Sequence, residues 1–113
     1  MFMDAPVPRP KRKAECSIFF ATKQASKGWN DLLATRRSDL IETWEFLTSN
    51  PLRRTPLSYP LKEELALLHK DGEVHVRWQL KLSNTHGARI WYYETDGKVM
   101  IEAVHTAHPN QTK

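Results

Sequence analysis

Between His75 and His105 apolar and polar residues alternate, and an Asp-Gly pair interrupts the alternation. Val76-Arg77-Trp78-Gln79-Leu80-Lys81-Leu82 has a period of two. Gly87-Ala88-Arg89-Ile90-Trp91-Tyr92-Tyr93 then runs toward Asp96-Gly97, and Val99-Met100-Ile101-Glu102-Ala103-Val104-His105 follows it. Period-two alternation marks strands with one buried face. Asp-Gly between apolar runs marks a tight hairpin, because both turn residues must take positive φ. The pattern predicts a meander of antiparallel strands. Polar positions of neighbouring strands then share a face, which would gather Lys81, Arg89 and His105. An earlier Asp71-Gly72 predicts another hairpin, between residues 64–70 and 73–82. Leu65, Leu67 and Leu68 break the alternation, so a short helix competes there.

Upstream the period changes. Cys16 to Ala21, centred on Ile18-Phe19-Phe20, reads as a buried strand. A helix is predicted from Lys23 to Thr35, with Trp29, Leu32 and Leu33 as its apolar stripe and Gly28 weakening it. Leu40, Ile41, Trp44 and Leu47 recur at helical spacing and predict a second helix. Ser38 or Asp39 can cap its start, Asp39 and Glu42 resemble a capping box, and Asn50-Pro51 ends it. The break near Arg36-Arg37-Ser38 makes the two helices a hairpin. Residues 51–60, with three prolines and Arg53-Arg54, read as a loop. That loop is either the lip of a binding groove or an exposed connector. The expected class is α+β: an N-terminal strand, a helical hairpin, then an antiparallel sheet of three or four strands with the helices on one face.

At 113 residues a single domain is the default, and folding buries roughly two-thirds of the chain's surface. Residues 1–14 stand apart as a basic, proline-rich tail. Pro6, Pro8 and Pro10 favour extended chain, and Arg9, Lys11, Arg12 and Lys13 supply charge. The tail is a flexible leader or an arm for RNA or an acidic partner. The domain proper is expected over 15–113. The net charge of +4 favours an anionic partner without choosing one. Cys16 is the lone cysteine, so no internal disulfide can form, which fits a reducing cytoplasm. No apolar run approaches the roughly 18 residues needed to span a bilayer, and Asp4 and the prolines interrupt any signal-like segment. A cytoplasmic protein without a membrane partner is the expectation.

Several standard sites are absent from the sequence. There is no glycine-rich phosphate loop and no Cys-x-x-Cys pair. His105 and His108 are three apart at a strand end, which suits a shared metal poorly, and no cysteine or carboxylate is expected to join them. Neither a metal nor another cofactor is expected. Cations, histidines and aromatics remain in the last third. Such a set can cut RNA: a base takes the ribose 2′-OH proton, the oxygen attacks the adjacent phosphorus, and an acid protonates the departing 5′-oxygen. Histidine suits the proton transfers, and arginine pairs two phosphate oxygens at once. One of Tyr92 and Tyr93 should face outward, since adjacent strand residues point oppositely, and that ring could stack on a base.

The segments Trp78 to Leu82, Gly87 to Tyr92 and His108 to Lys113 resemble the RelE/ParE toxin superfamily. The nearer resemblance is to a bacterial branch with a glycine-X-arginine-isoleucine-tryptophan-tyrosine strand and a terminal histidine-proline motif. It covers residues 16–113. The resemblance implies a RelE-like toxin of a type II toxin–antitoxin module. RelE-type members are metal-independent, ribosome-dependent mRNA endonucleases, held inactive by a cognate antitoxin in a hetero-oligomer. Their partners are therefore antitoxin, ribosome and mRNA. ParE-type members inhibit DNA gyrase instead. On the RelE pattern, Arg89 matches the arginine at the scissile phosphate and Lys81 a basic residue on the preceding strand. His108 falls where members place an arginine or histidine, and it is the expected acid or base. His105 completes the catalytic set. The expected RNA-contacting set is Arg77, Gln79, Tyr93, Arg53, Arg54 and Lys113. No tyrosine follows His108, so the C-terminal tyrosine of some RelE-type enzymes has no counterpart. A gyrase inhibitor or a catalytically inactive binding module is the alternative.

Overall fold

Alternation and the two Asp-Gly pairs set the strands in a computed structural model, which describes residues 7, 8, 10, 15–83 and 87–107. The elements run β1 (Ser17–Phe20), α1 (Lys23–Thr35), α2 (Arg37–Ser49), β2 (Ser58–Pro60), a 3-10 turn (Glu63–Leu65), β3 (Leu67–Lys70), β4 (Glu73–Val76), β5 (Trp78–Lys81), β6 (Arg89–Thr95) and β7 (Lys98–His105). The architecture is α+β, with a five-stranded sheet ordered β1-β7-β6-β5-β2 and a separate β3-β4 hairpin. Both Asp-Gly turns form as expected: Asp71 and Gly72 have φ of 52° and 79°, and Asp96 and Gly97 have 51° and 76°.

The large sheet is mostly antiparallel, but β1 joins β7 in parallel. Its four antiparallel strands plus β1 match the expected count, but patterning does not mark one of the four as a strand. β2 lies inside the proline-rich stretch read as loop, where Pro60 is tolerated because β2 is an edge strand. The run from Glu73 to Leu82 is not one strand. It breaks at Arg77, and its halves join different sheets. The competing helical reading near Leu65 is met by the single 3-10 turn.

Both helices form a hairpin against one face of the sheet. Trp78, Leu80 and Leu82 from β5 and its end, Ile90 and Tyr92 from β6, and Val99, Ile101 and Val104 from β7 pack with Ala25, Leu32, Leu40 and Leu47. α1 begins where β1 stops. Thr22 caps it by accepting from the Ala25 amide at 3.0 Å, and its hydroxyl donates to Glu102 O at 2.8 Å. Gln24 then brackets Val104, donating to its carbonyl at 2.7 Å and accepting from its amide at 3.1 Å. The first turn of α1 thus continues the edge pairing of β7 that β1 starts. Gly28 sits flat on β7: a Cβ there would lie 2.7 Å from Val104 O. This glycine is a packing requirement rather than a weakness of the helix.

Two further expectations change. β1 is an edge strand, and Phe19 and Phe20 stay 46% and 45% exposed. α2 starts at Arg37, before both candidate caps, and Asp39 binds the Arg36 guanidinium instead of capping. Its buried face is Leu40, Thr43, Leu47 and Thr48, while Ile41 is exposed. Cys16 is buried beside the core, and burial followed by Glu94 pushes its thiol up from the ordinary value. Among the described residues no helix is long and apolar enough to cross a membrane.

Candidate functional site

Register builds the site. Lys81 pairs with Arg89 across β5 and β6, and Arg89 pairs with His105 across β6 and β7. Paired residues point to the same face, so the three side chains form one row on the face away from the helices. Gln79 and Trp91 pair in the next row. The gathering of Lys81, Arg89 and His105 expected from alternation is what the strands produce.

The row is densely built. Trp91 meets the His105 ring edge-on with centroids 4.4 Å apart, and its Nε1 donates to Gln79 Oε1 at 2.8 Å. Gln79 Nε2 donates to the Tyr59 hydroxyl on β2 at 3.0 Å. Lys81 and Arg89 are like charges directly opposite, an unfavourable pairing. Lys81 turns its ammonium over the Tyr59 ring, 5.6 Å from the centroid. Arg89 is only 8% exposed. Among the described residues, Arg89 Nε and His105 Nε2 are buried without a hydrogen-bond partner. Buried polar atoms are nearly always satisfied, so two orphans on paired residues mark this spot as unusual. Burial and the neighbouring Arg89 charge hold the His105 pKa below its ordinary 6.5, against a weaker upward pull from Glu102. Its surroundings therefore favour the neutral imidazole.

Other expected site residues lie elsewhere. Arg77 is committed internally: Nε and Nη2 grip Glu102 at 2.6 and 2.8 Å, and Nη1 donates to Leu65 O at 3.0 Å. Gln79 is buried and joins Trp91 to Tyr59, so its amide is not offered to a ligand. Neither tyrosine of the pair faces outward. Tyr92 lies in the core with its hydroxyl on Pro51 O at 2.6 Å, and burial raises its pKa to about 12. Tyr93 is on the opposite face but covered by His75, stacked at 4.3 Å. Alternation predicted that the two rings point oppositely but not that the β3-β4 hairpin would dock over the second face. Arg53 and Arg54 are exposed on the α2–β2 connection. His108 and Lys113 lie outside the described residues. Among the described residues no three His, Cys, Asp or Glu side chains gather as a metal site.

Sequence reasoning missed Glu102. Its signal was present: Ile101 and Val104 are both core residues but three apart. That spacing requires a bulge, seen as the register shift at Trp91/Tyr92, which leaves Glu102 unpaired and free to reach Arg77. Tyr59 was missed because its strand hides between prolines.

Neither a family model nor any curated protein matches the sequence. Solved structures do match in shape. The YoeB dimer from Staphylococcus aureus aligns with a TM-score of 0.58 at 15% identity, over 80% of this chain and 94% of that one. A copper-bound mutant toxin from Helicobacter pylori aligns with a TM-score of 0.55 at 15% identity, over 80% and 93%. With its helical hairpin and mostly antiparallel mixed sheet, the chain has the RelE-like toxin fold.

Proposed function

We propose that the protein is the toxin of a type II toxin–antitoxin module and a metal-independent, ribosome-dependent mRNA endonuclease. The observation that carries this reading is the pairing of Arg89 with His105, each with a buried nitrogen that lacks a hydrogen-bond partner among the described residues. An RNA backbone supplies what they lack: a phosphate oxygen to accept from Arg89 Nε, and a ribose 2′-OH to donate to His105 Nε2. Arg89 stabilises charge building on the phosphate oxygens, and Lys81 adds a second cation. His105, kept neutral by burial and by Arg89, accepts the 2′-OH proton. The 2′-oxygen attacks phosphorus, the bond to the 5′-oxygen breaks, and an acid returns a proton to that oxygen. His108 is assigned that role. The products are a 2′,3′-cyclic phosphate and a 5′-hydroxyl. A cognate antitoxin would silence the toxin by covering the row.

The test is expression followed by mapping of RNA ends. Cuts are expected within translated codons. Arg89→Met, His105→Gln and His108→Gln should each lower cleavage, by roughly 10²–10⁴-fold for a proton-transfer group. Growth arrest with intact transcripts, unaffected by His105→Gln, would favour a protein-binding toxin of the gyrase-inhibiting kind and remove the nuclease reading.

A further inference from the structure

Single-stranded RNA is held by cations along its backbone and by aromatic faces on which bases stack. The face of the sheet away from the helices has the cations Lys81 and Arg89. Its aromatic residues are unequal as platforms. Trp91 is buried against His105, and Tyr93 is buried under His75. Tyr59, on the same face through its pairing with Gln79, remains partly exposed.

We propose that Tyr59 binds the nucleobase next to the phosphate held by Arg89 and Lys81, making β2 the stacking wall of the RNA groove. The proposal rests on the endonuclease reading above and adds a substrate contact to it. Three observations carry it. The ring is fixed in advance, because Trp91 donates to Gln79 and Gln79 donates to the Tyr59 hydroxyl, with Gln79 only 1% exposed. Little ordering is left for the substrate to impose. One face of the ring carries a cation of the row, Lys81 Nζ lying over it 5.6 Å from the centroid, so the base stacks on the other face. The spacing also suits one nucleotide. β2 is two strands from β6, roughly 10 Å, so a phosphate between Arg89 and Lys81 leaves its base against β2.

The test is single-turnover cleavage of mRNA on programmed ribosomes, measured over a series of protein concentrations. Tyr59→Leu removes the stacking face. It should raise the half-saturating concentration about tenfold, the scale of one stacked base, and leave the maximal rate little changed. Tyr59→Phe loses the hydroxyl bond to Gln79 but keeps the face, and should saturate between the parent protein and Tyr59→Leu. Tyr59→Trp should saturate close to the parent, and it decides the matter if Tyr59→Leu fails to fold in a thermal melt. Arg89→Met serves as the reference for lost chemistry. If Tyr59→Leu folds and saturates like the parent, or Tyr59→Trp needs about tenfold more protein than the parent to saturate, Tyr59 is no stacking residue and the endonuclease reading stands without it. If the parent protein cuts no translated mRNA, both readings fall together.

Discussion

His105 carries the clearest consequence at the scale of single residues. Its folded-state pKa lies below the unfolded value near 6.5, through burial first and Arg89 second. The unfolded chain therefore binds a proton the native state refuses. Stability from this group is fully present above about pH 6.5 and is lost as pH falls from there through the folded pKa. Urea midpoints measured at pH 7.5 and pH 5 should separate for the parent protein and separate less for His105→Gln. Equal separation in both would mean other groups dominate the acid limb. Arg89→Met removes the second cause of the shift, so the His105 titration followed by NMR should move up toward its ordinary value. The same change replaces a buried, partly unsatisfied guanidinium with an apolar side chain. It should leave the fold as stable or more so, although cleavage is lost.

Elements are held together by two contacts that no single residue type announces. α1 lies on β7 through Gly28. Gly28→Ala would gain up to about 1 kcal/mol of helix propensity, yet the new methyl would meet Val104 O and Val104 Cβ at 2.7 and 2.8 Å. Overpacking of this kind costs about 1–3 kcal/mol, so a net loss in the urea midpoint is expected. A gain would show that α1 can lift off the strand. On the other face Arg77 and Glu102 tie the break between β4 and β5 to the bulge of β7. Their side chains are 12% and 19% exposed. Glu102→Ala strands a mostly buried guanidinium and should cost about 3 kcal/mol. Pairing it with Arg77→Met should recover much of that loss in a double-mutant cycle, whereas simple additivity would mean the two side chains do not depend on each other.

For the whole molecule the sheet order predicts a gradient of local stability. β6 and β7 are central strands of five. The β3-β4 hairpin is a two-stranded sheet with Leu67, Val74 and Val76 about half exposed, anchored by the His75–Tyr93 stack and the Arg77 bonds. Two strands alone are marginal in water. Amide hydrogen exchange should therefore open the hairpin well before β6 and β7, and Glu102→Ala should widen the gap. Equal protection across both sheets would contradict this ordering. The first and last strands of the described residues are neighbours, since Ser17 lies beside Lys98 in a parallel pair.

How much of this was legible depends on the range of the forces involved. Alternation, helical spacing and the Asp-Gly pairs act over a few residues, so the sequence alone determined α1 to its end residues, both hairpin turns and the polar face shared by Lys81, Arg89 and His105. Only the tertiary structure decided what lies over that face. Whether Arg77 is free or gripped by Glu102 depends on a bulge and a pairing 25 residues apart. Whether Tyr93 is open or covered depends on a hairpin that alternation could not dock. Burial of the Arg89 and His105 nitrogens, which makes them unusual, is likewise a property of neighbours brought from distant parts of the chain.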